Sequence, residues 1–234
     1  MMKTIHSGKS TIIFDSDLFL DDPLASFDSQ YWKAQKNILG SAEGRGTTWF
    51  IQTQTLPAAL RHYRRGGLFG KLVSDQYWYT TLENTRSYQE YQLLSKLHQQ
   101  GMPVPRPLAA QIIRSGFIYR ADLISEQIQN AKDLVGVLQE RALTQEQYIN
   151  IGQLVKKMHD LQVNHTDLNI HNILLDKNNK LWLIDFDKCG EESGDSWKAG
   201  NLARLKRSFI KEVSRFSIHW QESDWQWIMQ GYQK

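Results

Sequence analysis

His165-Thr166-Asp167-Leu168-Asn169-Ile170-His171-Asn172, followed by Ile184-Asp185-Phe186-Asp187, is the stretch on which the fold assignment turns. It supplies a carboxylate, an amide five residues later, and a second carboxylate at the end of the apolar run Leu181-Trp182-Leu183-Ile184. Transfer of a phosphoryl group needs those three side chains. One receives the proton of the acceptor hydroxyl, and two oxygen donors hold Mg²⁺ against the phosphates. On this reading Asp167 is the catalytic base, while Asn172 and Asp185 are the metal ligands. Hard Mg²⁺ keeps several waters, so one or two protein oxygens per ion suffice. His171 reads as a residue that packs or bonds within the loop, and His165 as its brace.

The pattern resembles the protein-kinase set H-R-D-x-x-x-x-N and D-F-G, with Thr166 in place of Arg and Asp187 in place of Gly. Upstream, the cluster Gly40-Ser-Ala-Glu-Gly44-Arg-Gly46 has the form G-x-x-x-G-x-G, a permuted relative of the kinase phosphate loop. Glycines let backbone N–H groups approach phosphate oxygens without interference from a Cβ. Gly40, Gly44 and Gly46 are therefore candidate nucleotide contacts. The lysine usual on the third kinase strand has no lysine counterpart here. Arg61 stands in its place, and a guanidinium can bridge phosphate oxygens with forked geometry. Glu90 is its expected partner. Gly8-Lys9-Ser10 invites a Walker A reading, but Lys3 stands where that motif needs its first glycine.

Around these motifs the chain reads as α+β. Strands are expected over Thr47–Thr53, Ala58–Tyr63, Leu68–Val73, Leu108–Ile113 and Phe117–Ile124, from runs rich in β-branched and aromatic residues. A helix over 85–100 follows from Tyr91, Leu94 and Leu97 or His98, and Gly101-Met-Pro-Val-Pro-Arg-Pro107 stops it. Thr144-Gln-Glu-Gln147 has capping-box spacing and opens a helix whose stripe is Tyr148, Ile151, Val155 and Met158. Ile173–Leu175 and Leu181–Ile184 form a hairpin. Leu202, Leu205, Phe209, Val213 and Phe216 mark a last amphipathic helix. The expected division is a lead-in (1–30), a β-rich nucleotide-binding N-lobe with one helix (31–126), and a mainly helical, shortened C-lobe (127–234) carrying the catalytic loop.

Composition bounds the rest. Hydrophobic content of 41% and charged content of 23% are those of an ordinary globular chain. Cys189 is the single cysteine, which excludes an internal disulfide. No apolar run reaches the roughly 18 residues of a bilayer span, and charges interrupt Met1–Leu20 before any signal-peptide core can form. A formal charge of +3, with aromatics spread along the chain, argues against nucleic acid.

Leu-Arg-His-Tyr-Arg-Arg-Gly-Gly at 60–67, Gly-Met-Pro-Val-Pro-Arg-Pro at 101–107, the catalytic-loop run at 165–172, Asp-Phe-Asp-Lys at 185–188 and Trp-Lys-Ala-Gly-Asn-Leu-Ala-Arg-Leu-Lys-Arg-Ser at 197–208 together resemble the 3-deoxy-D-manno-octulosonic acid (Kdo) kinases. These belong to the lipopolysaccharide-core kinase group with a protein-kinase-like two-lobed fold. The resemblance implies ATP-dependent, Mg²⁺-assisted phosphorylation of the 4-hydroxyl of Kdo on a lipid A precursor, with Asp167 carried over as the active-site residue. It also implies peripheral placement on the cytoplasmic side of the inner membrane. The basic residues Arg61, Arg64, Arg65, Lys71, Lys198, Arg204, Lys206, Arg207, Lys211 and Arg215 suit an anionic glycolipid and an anionic membrane surface. The stretch after Asp185 has no Ala-Pro-Glu motif, so no protein substrate is expected. Two alternatives share the same three side chains: another small-molecule or sugar phosphotransferase, and a catalytically silent nucleotide-binding scaffold.

Overall fold

Short runs rich in β-branched and aromatic residues, such as Thr-Ile-Ile-Phe and Trp-Phe-Ile-Gln, build the strands of one part of this chain. The computed structural model describes residues 1–44, 46–65 and 75–234. The chain divides into two compact units, residues 1–96 with 105–127, and residues 97–104 with 128–234.

In the first unit the strands are β1 (Met2–Ser7), β2 (Ser10–Asp15), β3 (Ile38–Glu43), β4 (Thr47–Gln52), β5 (Pro57–His62), β6 (Tyr77–Trp78), β7 (Pro107–Ser115) and β8 (Ile118–Glu126). They form an antiparallel sheet in the order β1-β2-β7-β8-β5-β4-β3, with β6 paired to β8. The lead-in is part of this sheet, because β2 pairs with β7 from Ser10↔Ile113 to Phe14↔Ala109. Gly8 explains the turn of the first hairpin. Ser7 pairs with Ser10, which leaves Gly8-Lys9 as a two-residue loop with Gly8 at φ +57°. That geometry accounts for Gly8-Lys9-Ser10 without a phosphate.

One sheet face carries the core Ile12, Phe14, Ile51, Ala58, Leu60 and Ile124, closed by Phe19 of the lead-in and by Trp32 of helix α1 (Ser29–Ala34). Helix α2 (Arg86–Gln99) buries Tyr91, Leu94 and Leu97, so Leu97 rather than the exposed His98 continues the stripe. The strand expected at Leu68–Val73 lies outside the described residues, as do Gly66, Gly67 and Lys71.

The second unit holds β9 (Ala131–Asp133), α3 (Leu134–Glu140), α4 (Gln145–Asp160), β10 (Val163–Asn164), a 3-10 turn (Ile170–Asn172), β11 (Ile173–Asp176), β12 (Leu181–Leu183), β13 (Gly190–Glu191), α5 (Lys198–Phe216) and α6 (Trp225–Tyr232). The Thr144–Gln147 capping box forms, and Tyr148, Ile151, Val155 and Met158 are buried beneath it. Helix α5 departs from its expected stripe. Leu205 and Phe209 are buried, but so are Asn201 and Glu212, while Phe216 is 42% exposed. The buried face is rotated toward polar positions because those side chains bond the loop beneath them.

Candidate active site

The hairpin of β11 and β12 positions the two candidate metal ligands. Its pairing runs from Leu175↔Leu181 to Ile173↔Leu183, and just past it the Ile184 N–H donates to the Asn172 carbonyl at 3.0 Å. Asn172, entering the hairpin, is thereby set beside Asp185, leaving it. The Asn172 amide nitrogen donates to the Asp167 carbonyl at 2.9 Å. Spending the nitrogen in this way turns the amide oxygen into the end left for a cation. Asp185 sits at φ +62°, a left-handed conformation that few side-chain-bearing residues adopt. Strain of this kind is kept where surrounding contacts over-determine it. Two oxygen donors of this type suit a hydrated Mg²⁺.

The loop between β10 and the 3-10 turn is held from several sides. His165 is fully buried; its Nε2–H donates to the Ile184 carbonyl at 3.1 Å, and its ring lies 4.9 Å from that of buried Phe186. Its Nδ1 is buried without a hydrogen bond, and burial pushes its pKa below the ordinary histidine value. It is therefore a neutral brace tying the catalytic loop to the Asp185 segment. Asn169 donates to the Asp167 carbonyl at 2.8 Å, and its own oxygen accepts from the His171 N–H at 2.9 Å. The His171 Nδ1–H donates to Asp133 Oδ2 at 2.8 Å. With its backbone so fixed, Asp167 presents a carboxylate that is 51% exposed.

Helix α5 supplies the outer bracket, which sequence reasoning did not assign. Asn201 is its hub: its oxygen accepts from the His165 N–H at 3.2 Å and from His159 Nε2 at 3.4 Å, and its nitrogen donates to Asn164 at 2.8 Å. Just under one helical turn further on, Arg204 places Nη1 3.8 Å from Asp167 Oδ1. Ser208 Oγ accepts from the Ile170 N–H at 3.1 Å. Positions 201, 204 and 208 share one helix flank, so a polar i, i+3, i+7 pattern was the available signal.

Burial also pushes His159 down to about 4, with Tyr232 O–H against its Nδ1 at 2.8 Å. Both histidines have folded pKa values below the unfolded value of about 6.5. As pH falls from there toward about 4, the unfolded chain binds protons that the folded chain refuses, so stability drops. Urea unfolding at pH 7 and pH 5 is expected to show that loss, with a limiting slope of about 1.4 kcal/mol per pH unit for each histidine. The slope should shrink in His159→Gln.

In the first unit the glycine cluster forms the β3–β4 hairpin. Gly40 pairs with Phe50 beside a register shift, and the Gly44 N–H donates to the Gly46 carbonyl at 3.1 Å. Arg45 lies outside the described residues. Gly46 lies against Arg64, whose Cδ stands 2.7 Å from where a Cβ would be. Arg61 lies across from Thr48 on the next strand, and its Nη2 reaches Glu90 Oε1 at 2.5 Å. Glu90 is 3% exposed and its other oxygen accepts from the Tyr63 hydroxyl. Burial, with the Glu90 charge, raises the Tyr63 pKa, so it stays a donor. Arg65 is committed elsewhere, donating to the Gln76 carbonyl at 2.7 Å and lying over the Tyr77 ring.

Comparison with known proteins gives concordant results. Residues 29–232 match the model of the lipopolysaccharide kinase (Kdo/WaaP) family. The chain is 55% identical to a 3-deoxy-D-manno-octulosonic acid kinase of Vibrio cholerae serotype O1, over 94% of each chain. It is 54% identical to the protein of that name from Vibrio vulnificus, over 100% of this chain and 99% of the relative. With the one from Photobacterium profundum it shares 55% identity over 99% and 98%.

Proposed function

Since this chain belongs to the lipopolysaccharide kinase (Kdo/WaaP) family, we propose that it is a Kdo kinase, transferring phosphate from ATP to Kdo on a lipid A precursor during lipopolysaccharide core synthesis. The acceptor atom is the 4-hydroxyl. The observation that carries the reading is the set Asp167, Asn172 and Asp185, joined by the Asn172 donation to the Asp167 carbonyl and the Ile184 donation to Asn172, in a chain whose relatives of that name it matches over 94% or more of their length.

In this mechanism the Asp167 carboxylate accepts a hydrogen bond from the acceptor hydroxyl, aims its oxygen at the γ-phosphorus, and takes the proton as the new bond forms. The two amide donations to the Asp167 carbonyl fix the backbone from which that carboxylate projects. Asn172 and Asp185 would hold Mg²⁺, which supplies neutralisation of the phosphate charge as it shifts toward the leaving group. The glycine hairpin would let its backbone approach the phosphates without a Cβ in the way, the Gly44 N–H itself being given to the Gly46 carbonyl. Arg61 lends its guanidinium, with Glu90 and Tyr63 fixing the fork. This kinase-like assignment takes the first unit as the nucleotide binder and the second as the carrier of catalysis. Among the described residues the cation paired with the Asp167 carboxylate is Arg204, at 3.8 Å.

The same reading places the enzyme as a peripheral protein on the cytoplasmic face of the inner membrane. Among the described residues no helix is long and apolar enough to cross a membrane. Cations near an anionic leaflet add about 1 kcal/mol each, and helix α5 alone carries Lys198, Arg204, Lys206, Arg207, Lys211 and Arg215.

Acceptor profiling tests the proposal. With radiolabelled ATP, the initial rate on the Kdo-bearing lipid A precursor should exceed that on soluble aminoglycosides and simple sugars by orders of magnitude. A preference for the soluble acceptors would assign the chain to another phosphotransferase activity. Arg61 has its own expected result. Arg61→Lys keeps the charge facing Glu90 but loses the fork, and KM for ATP should rise by about 10-fold, the scale of one charge-assisted hydrogen bond. An unchanged KM would remove Arg61 from the phosphate site.

A further inference from the structure

We propose that Arg204 selects the acceptor through its carboxylate, and that the basic stripe headed by Arg204 on α5 seats the acceptor's anionic groups beside Asp167. The inference rests on the kinase reading of Asp167 and deepens it by assigning an acceptor subsite.

Four cations lie at helical spacing along one flank of α5: Arg204, Arg207, Lys211 and Arg215. Steps of three, four and four residues keep side chains on one line, and the line runs for about 16 Å at 1.5 Å per residue. Its first member is the one beside the reactive carboxylate. Arg204 Nη1 is 3.8 Å from Asp167 Oδ1, with the two side chains 48% and 51% exposed. That distance is an ion pair but not a hydrogen bond. Among the described residues Arg204 donates no hydrogen bond, so its five N–H donors remain unspent.

An ordinary solvated helix face would interleave acids with these cations. The only acid of α5 is Glu212, and it is 1% exposed. Its carboxylate is shared by Arg215 at 3.3 Å, His171 at 3.6 Å and Lys211 at 3.7 Å. One buried negative charge cannot neutralise the flank. Nor does the flank drift relative to the catalytic loop, because Asn201 and Ser208 bond that loop on either side of Arg204. A guanidinium with unspent donors, carried on a helix so fixed and next to a base that must meet a hydroxyl, fits an acceptor carrying a carboxylate on the same ring as that hydroxyl. A sugar acid has that chemistry. The bidentate geometry of guanidinium with carboxylate supplies the selectivity, and Arg207, Lys211 and Arg215 meet further anionic groups of the same acceptor.

The test crosses enzyme with substrate. Wild type and Arg204→Gln are assayed on the Kdo-bearing lipid A precursor and on the same acceptor with its sugar carboxyl methyl-esterified. Wild type should prefer the free acid by about 10- to 100-fold in kcat/KM, the span of a charge-assisted hydrogen bond. In Arg204→Gln the preference should fall to within about 3-fold, chiefly through a higher KM for the free acid. Arg204→Lys should recover part of the preference. An Arg204→Gln enzyme that keeps the full acid preference overturns the proposal. So does an equal fall in kcat on both acceptors, which would mean Arg204 acts only through Asp167. If wild type phosphorylates soluble sugars and neither lipid acceptor, the Kdo reading fails first and takes this subsite with it. Thermal midpoints of the variants, expected to stay near wild type for a half-exposed residue, separate loss of recognition from loss of fold.

Discussion

Asp167→Asn is expected to lower kcat by about 10²- to 10⁴-fold, the range for a positioned acid–base group, while leaving the affinity for ATP within a few-fold of wild type. The substitution keeps the size and polarity of the side chain but removes its negative charge, and with it the capacity to take a proton and the ion pair with Arg204. The hydrogen bonds that hold residue 167 go to its carbonyl, which receives Asn169 and Asn172, while its carboxylate has only the 3.8 Å ion pair with Arg204. The loop should therefore fold unchanged around asparagine. Single-turnover transfer, with ATP binding measured separately by calorimetry, checks both halves of the expectation. A variant as fast as wild type would take Asp167 out of the mechanism. One that no longer binds ATP would make it a structural residue.

The largest stability effect should come from two glycines remote from the chemistry. Helices α4 and α6 cross where Gly152 meets Gly231. A Cβ built on Gly152 would stand 2.0 Å from the Ile228 carbonyl oxygen, and one on Gly231 would stand 2.0 Å from that of Ile149. Both obstacles are backbone, so no rotamer change relieves them. Gly152→Ala and Gly231→Ala are each expected to cost about 3 kcal/mol or more, the upper end for overpacking, although alanine is the better helix former. Urea unfolding with far-ultraviolet detection measures this. Unchanged or raised stability in either variant would show that α6 does not pack as closely as described. The double variant should lose less than the sum, because a helix already displaced by one methyl gives the second more room.

How much of this was legible in the chain differs from element to element, for physical reasons. Strands such as Thr47–Gln52 and Pro57–His62, and the helix opening at the Thr144–Gln147 box, could be read because each carries its own pattern and its own punctuation. The first hairpin was harder. β1 is exposed along most of its length, so Met2–Ser7 lacks the alternation that betrays a strand, and only pairing of β2 with β7 commits it to the sheet. Helix α6 has eight residues with three aromatics and a glycine, which by propensity is an indifferent helix. It exists because Gly231 lets it lie against α4.

For the site, the spacing of Asn172 and Asp185 could be read because the β11–β12 hairpin imposes it, and that of Asp167 and Asn172 because one short loop spans it; both are local objects. The supports could not. Asn201 reaches back 36 residues to the His165 N–H, and Ser208 reaches back 38 to that of Ile170. A polar residue on an amphipathic helix looks like a solvated one until its partner is known. Glu212 shows the limit most plainly, since a charged residue outside the expected apolar stripe is buried, with His171 and two neighbouring cations around its carboxylate.

Metal affinity is the most direct test of the claim that two oxygen donors at the open end of the β11–β12 hairpin serve the nucleotide complex beside Asp167. Mn²⁺, an electron-paramagnetic stand-in for Mg²⁺, can be titrated into enzyme loaded with a non-hydrolysable ATP analogue. The affinity is expected to fall at least about 10-fold in Asp185→Ala and in Asn172→Ala, the scale of losing one ligand-supporting contact. It should hold in Asp195→Ala, where the acid removed is an exposed partner of Lys198. Equal Mn²⁺ affinity in Asp185→Ala and wild type would contradict the account at its root.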